Sequence, residues 1–231
     1  LKVDKETKSI QENAIIPFWQ GRSLRDRIFI ELDQEWKEAY KAGIFTEFME
    51  QRAPRHTVLD DKIYRKGFKD FRKDIEYSIA SLDFFNDTNA VEKREELKAM
   101  EIVVDALVDF SKRYSNYLAD LAAIENDKVR KNELETLSGI CERVPENKPN
   151  TFWEALQYYW FVHIGVIIEL NTWDSFNPGR IDQHLYPFYK RDIESGLLNQ
   201  AKAKELLQSF WIKFNNQPAP PKVGVTARDR K

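Results

Sequence analysis

Thr151-Phe-Trp-Glu-Ala-Leu-Gln-Tyr-Tyr-Trp-Phe-Val-His-Ile-Gly-Val-Ile-Ile-Glu169 decides the fold class of this chain. Thr151 followed three residues later by Glu154 is a capping box, in which the two side chains satisfy amides left over at a helix start. Behind it nothing stops a helix, and Trp153, Leu156, Trp160, His163, Ile164 and Ile167 fall on one apolar stripe. A helix with that many large apolar side chains requires neighbours to cover it.

The flanking sequence supplies them. Ser23–Ala42 has Leu24, Ile28, Ile30, Leu32 and Trp36 on an approximate helical face. Lys66–Leu82 repeats the pattern after a connection from Pro54 to Tyr64. Ala90–Asn126 is a long amphipathic run with Leu97, Met100, Val103, Val104, Leu107 and Phe110, and Val129–Val144 is a further helix stopped by Pro145 and Pro149. Past the Asn177-Pro-Gly turn, Asp182–Ile193 and Gln200–Phe214 read as helices, the first ended by Gly196 and the second capped by Asn199. With only 8 glycines and no internal repeat, the chain reads as mostly α. Val223-Gly-Val-Thr226, beyond three prolines, is β-like. A strand must satisfy its backbone groups, and nothing earlier reads as a sheet, so the expectation is a chain cut from a longer, β-containing protein.

Composition narrows the function classes. Apolar residues at 42% and aromatics at 13% are enough for a core, so disorder is not expected. The net charge of −2 is spread among interleaved acids and bases, which argues against nucleic acid as a partner. No apolar run approaches the roughly 18 residues of a membrane span, and the first residues lack the apolar core of a signal peptide. The single cysteine, Cys141, rules out an internal disulfide and fits a reducing, cytoplasmic setting. No His/Cys/Asp cluster has ligand spacing, so no metal is expected, and there is no glycine-rich phosphate loop.

The candidate site residues lie in two connections. In Glu169–Gln183, Asp174 stands beside Trp173 just ahead of a Pro-Gly turn. A carboxylate delivered by a rigid helix is a means of presenting an acid to a polar ligand, although Asp also forms turns by binding backbone amides. Arg180 and Asp182 have the spacing for a short ion pair that would hold this turn beneath Asp174, a supporting role shared with Trp173. In Gln51–Thr57, His56 has the near-neutral titration suited to proton exchange with a hydroxyl, though a loop histidine is often merely solvated. Phe48 is either a pocket wall or ordinary core. His163 and His184 read as structural.

Trp153–Gln157, Asn171–Gln183, Phe214–Thr226 and Phe45–Val58 together resemble the pyruvate formate-lyase-like glycyl radical enzymes, over a stretch from Pro17 to Thr226. The resemblance implies a partial domain over 1–231, an N-terminal-half segment that supplies helices wrapping a ten-stranded α/β barrel and enters β only near its C-terminus. The run Phe45–Val58 is similar to members that remove water from trans-4-hydroxy-L-proline to give 1-pyrroline-5-carboxylate. The alternatives are a glycerol or diol dehydratase, a choline or isethionate lyase, an arylacetate decarboxylase, or a non-catalytic helical scaffold.

By resemblance, His56 would be the acid or hydroxyl partner, and Asp174 and Phe48 would contact an amino-acid substrate. This segment would bind no cofactor. The family's radical sits on a glycine and is installed by an activating enzyme that uses S-adenosylmethionine and an iron-sulfur cluster, and full-length members are expected to be homodimers. Neither the radical-bearing glycine nor the thiyl-forming cysteine has a counterpart here, so the 231 residues alone are expected to be inert. Cys141 falls outside the family's cysteine motif. Arg228–Lys231 departs from the family pattern and removes a serine used near substrate, as a truncated or frame-shifted reading would.

Overall fold

A computed structural model describes residues 4–44, 59–169 and 178–216, and these divide into two compact units, 4–44 and 59–216. Every element among the described residues is helical. The β-like stretch Val223–Thr226 lies outside them.

The first unit contains α1 (Lys5–Ile10), a π-helical turn (Gln11–Ile15), α2 (Ile16–Trp19), α3 (Leu24–Glu31) and α4 (Gln34–Ala42). The single helix expected over Ser23–Ala42 is two helices. Leu32 is extended, and the Asp33 carboxylate accepts from the Trp36 amide at 3.0 Å, restarting the helix as its N-cap. Gly43 closes α4 in the left-handed conformation, which costs glycine no Cβ clash. Phe29 packs edge-on against Tyr40, which is buried, while Ile30, Trp36 and Ile44 are exposed.

The second unit is built around one helix. Its elements are α5 (Lys62–Arg65), α6 (Phe68–Ala80), α7 (Ala90–Ile124), α8 (Lys128–Arg143), α9 (Phe152–Glu169), α10 (Ile181–Glu194) and α11 (Gln200–Asn216). α9 is buried on more than the expected stripe. Besides Leu156, Trp160 and His163, its Phe152, Ala155, Tyr158, Tyr159, Phe161 and Val162 are also buried. A helix apolar around its circumference is a core helix, and contacts from α5, α7, α8 and α10 surround it.

Its start is held from two directions. The Thr151 hydroxyl accepts from the Glu154 amide at 3.2 Å, and Glu154 Oε2 accepts from the amides of Thr151 and Asn150 and from Arg143 Nε, so the capping box forms as expected. Asp192, buried on α10, adds a cap that the local sequence does not announce: its Oδ2 accepts from the Phe152 amide at 2.6 Å.

The remaining helices pack by equally specific contacts. Ser115 on α7 and Ser138 on α8 each donate a hydroxyl to the other's carbonyl at 2.9 Å. The first amides of α6 are satisfied by a neighbouring turn, Phe68 N donating to the Pro145 carbonyl and Lys69 N to that of Glu146. Only a glycine fits at that approach, because a Cβ on Gly67 would lie 2.3 Å from the Glu146 oxygen. Asn199 caps α11 through the Lys202 amide at 2.8 Å. No described helix is long and apolar enough to cross a membrane.

Candidate functional site

Four of the sequence-derived site residues, Phe48, His56, Trp173 and Asp174, lie outside the described residues. What is described is the framework on either side of the two segments that carry them. α5 begins shortly after the segment 45–58. α9 delivers the segment 170–177, and α10 receives it.

These flanks converge. Ile63 and Tyr64 of α5 are buried, and the Tyr64 ring lies 5.4 Å from that of His184 and 6.1 Å from Phe188, both on α10. His184 Nε2 is 3.5 Å from the Asp60 carboxylate. Burial pushes the Tyr64 phenol well above its ordinary range, with the negative charge of Asp60 adding to the shift, so its hydroxyl remains a donor at neutral pH.

Arg180 and Asp182 are described, and both are exposed. Among the described residues no ion pair joins them. Asp182 lies in the first turn of α10, where a carboxylate faces the positive end of the helix dipole, and the Arg180 carbonyl accepts from the His184 amide at 2.9 Å.

The other histidine of the second unit sits deep in α9. His163 is stacked on Trp160 and Tyr159, packs edge-on against Phe214, and its Nδ1 meets the Tyr159 hydroxyl at 3.4 Å. Burial lowers its pKa to about 4, so the ring is neutral at ordinary pH. Cys141 is buried near the end of α8, and burial raises its thiol to about 11, partly offset by Lys213. A thiol held protonated in this way is a poor nucleophile. Among the described residues no group of three or more His, Cys, Asp or Glu side chains could hold a metal ion.

Against the family of proteins described as pyruvate formate lyase-like, the match covers residues 1–229. The chain belongs to that family. It is 52% identical, over 98% of its length, to trans-4-hydroxy-L-proline dehydratase from Clostridioides difficile, and 34% identical over 91% to isethionate sulfite-lyase from Nitratidesulfovibrio vulgaris. It spans 29% and 26% of those two relatives.

Its fold is similar to the crystal structure of the C. difficile hydroxyproline dehydratase with trans-4-hydroxy-L-proline bound, at a TM-score of 0.77 and 53% identity, covering 96% of this chain and 28% of that one. It is also similar to the glycerol-bound B12-independent glycerol dehydratase of Clostridium butyricum, at a TM-score of 0.70 and 25% identity over all of this chain and 28% of that one. The helices described here are thus a segment of the glycyl radical enzyme fold.

Proposed function

We propose that this chain is a segment of a glycyl radical dehydratase that removes water from trans-4-hydroxy-L-proline to give 1-pyrroline-5-carboxylate. The observation that carries this reading is the 52% identity to the hydroxyproline dehydratase over 98% of the chain. The isethionate and glycerol enzymes lie at 34% and 25%, and the reading ranks them second.

The chemistry sets what the protein must supply. The family's glycyl radical, borne outside these residues, would supply abstraction of a hydrogen atom next to the ring nitrogen and its return once water has left. The neighbouring hydroxyl must then depart, and it departs fast only as water, so a positioned acid has to donate a proton. His56 is that acid. Asp174 accepts from the ring ammonium or the hydroxyl and thereby fixes which hydrogen is presented for abstraction, since orientation decides the outcome. Phe48 forms an apolar wall, while Trp173, Arg180 and Asp182 hold the segment that carries Asp174. The reading includes a radical S-adenosylmethionine activating enzyme as partner, a homodimeric full-length protein and a cytoplasmic setting.

The test is a chimera in which these 231 residues replace the matching stretch of the C. difficile enzyme. Asp174→Asn in that chimera should lower turnover by about one to two decades, the loss of a charge-assisted hydrogen bond of roughly 1.5–3 kcal/mol in a desolvated site. The glycyl radical signal in electron paramagnetic resonance should be unchanged. Full activity in the Asn variant would make Asp174 a turn-former, and loss of the radical signal would place the defect in folding or activation.

A further inference from the structure

A polar contact between the two flanks of the site, that of Asp60 with His184, involves groups that the proposed chemistry leaves unused. Leu59 and Asp60 both hold left-handed backbone, with φ of 59° and 47°. Aspartate adopts that region readily, but a leucine there is uncommon, and such strain concentrates at functional sites. From this turn the Asp60 carboxylate faces His184 Nε2 at 3.5 Å. A proton on Nε2 suits the facing carboxylate, and that tautomer makes Nδ1 an acceptor. Among the described residues Nδ1, which is buried, has no hydrogen-bond partner, and neither has the buried Tyr64 hydroxyl. Their rings are 5.4 Å apart. Buried polar atoms are nearly always paired. A donor and an acceptor left unpaired together mark a cluster whose geometry serves something other than local satisfaction.

Chain connectivity says what that is. Asp60 lies four residues beyond His56, a reach of at most about 14 Å, and His184 is in the first turns of the helix that follows Asp174. We propose that His184 is a positioning residue of the substrate site: its contact with Asp60 fixes the end of the segment carrying His56 against the helix that follows the segment carrying Asp174. The proposal rests on the dehydratase reading of His56 and Asp174. Ile63, fully buried, and Tyr64 packed on Phe188 anchor the same turn from the core side, so the contact has rigid support on both sides. Because Asp60 is exposed, the contact contributes little to stability. Its consequence is the placement of an acid, where an error of about 1 Å costs up to 100-fold in rate.

The experiment uses the same full-length chimera, with His184→Phe, His184→Gln, Asp60→Ala and the double variant Asp60→Ala/His184→Phe. His184→Phe keeps the ring against Tyr64 and removes the donor. Glutamine places an amide N–H near the Nε2 position. The proposal expects kcat to fall about tenfold in His184→Phe and in Asp60→Ala, with the glycyl radical signal unchanged and KM altered less than kcat. Glutamine should recover most of the loss, and the double variant should be no slower than the worse single one, because both changes break one contact. Phe and Ala variants within twofold of the parent, or a Gln variant as slow as Phe, would overturn it. A parent chimera that carries the radical but forms no pyrroline-carboxylate would instead refute the dehydratase reading. The contact is then judged by nitrogen-15 shifts in the 231-residue chain, whose 3 histidines are assigned by single substitutions. An Nε2–H tautomer at His184 that is perturbed by Asp60→Ala supports it, and an Nδ1–H tautomer overturns it.

Discussion

Replacing His163 with phenylalanine should flatten the acid side of the stability curve. The imidazole lies among Tyr159, Trp160 and Phe214, and its pKa is lowered by burial from 6.5 to about 4. The unfolded chain therefore takes up a proton at this residue as pH falls through about 6.5, while the folded chain resists until near 4. The state that binds more protons gains as pH falls, so the folded state loses stability across that window and keeps the full contribution above it. At about 1.4 kcal/mol per pH unit the whole window corresponds to ~3 kcal/mol, of which about 2 kcal/mol are lost between pH 7 and pH 4.5. Phenylalanine preserves the aromatic packing and cannot titrate. Urea unfolding of the two chains, followed by tryptophan fluorescence from pH 7 to 4.5, isolates the effect, because acid losses at the carboxylates are common to both. The parent should lose about 2 kcal/mol more than His163→Phe over that range. Parallel pH dependences would refute the assignment of a buried neutral imidazole.

Further substitutions and one chemical probe test the packing. Asp192→Ala leaves the Phe152 amide without its acceptor and should cost about 1–3 kcal/mol in thermal or urea melts, with Asp192→Asn milder because it keeps an oxygen there; an unchanged melt would dismiss the cap. Gly67→Ala forces a Cβ against the backbone of Glu146 and Asn147 and should destabilise by about 1–3 kcal/mol. Gly165→Ala meets only the end of the Leu107 side chain and should cost clearly less, so equal losses would contradict the close approach at Gly67. Cys141 should react slowly with iodoacetamide at pH 8, its rate climbing until about pH 11, and a fast reaction at neutral pH would contradict its buried thiol.

Most helices were legible because their signals are local. The proline stop behind α8, the Thr151/Glu154 box ahead of α9 and the Asn199 cap of α11 each act within a few residues of the end they define. The break between α3 and α4 was missed because apolar periodicity runs through it, whereas the deciding event is the Asp33 side chain reaching the Trp36 amide. The all-round burial of α9 was underestimated, since a stripe is visible in sequence and the number of helices packed around it is not. Asp192 could not be read at all, because its partner amide is 40 residues away. The site was legible only through family likeness. Nothing in spacing alone distinguishes Asp174 from a turn-forming aspartate, or His56 from a solvated histidine. The meeting of Asp60, Tyr64 and His184 depends on tertiary packing that brings α5 to α10.

The most direct measurement is the substrate preference of the chimera that carries these 231 residues in place of the matching stretch of the C. difficile dehydratase. After activation, with the glycyl radical quantified by electron paramagnetic resonance, kcat/KM is determined for trans-4-hydroxy-L-proline, glycerol and isethionate. The account expects pyrroline-carboxylate from hydroxyproline at a rate at least ~100-fold above turnover of the other two, the discrimination available to a site that pairs a substrate's polar groups. A chimera that carries the radical yet prefers glycerol or isethionate, or turns over none of the three, would contradict it.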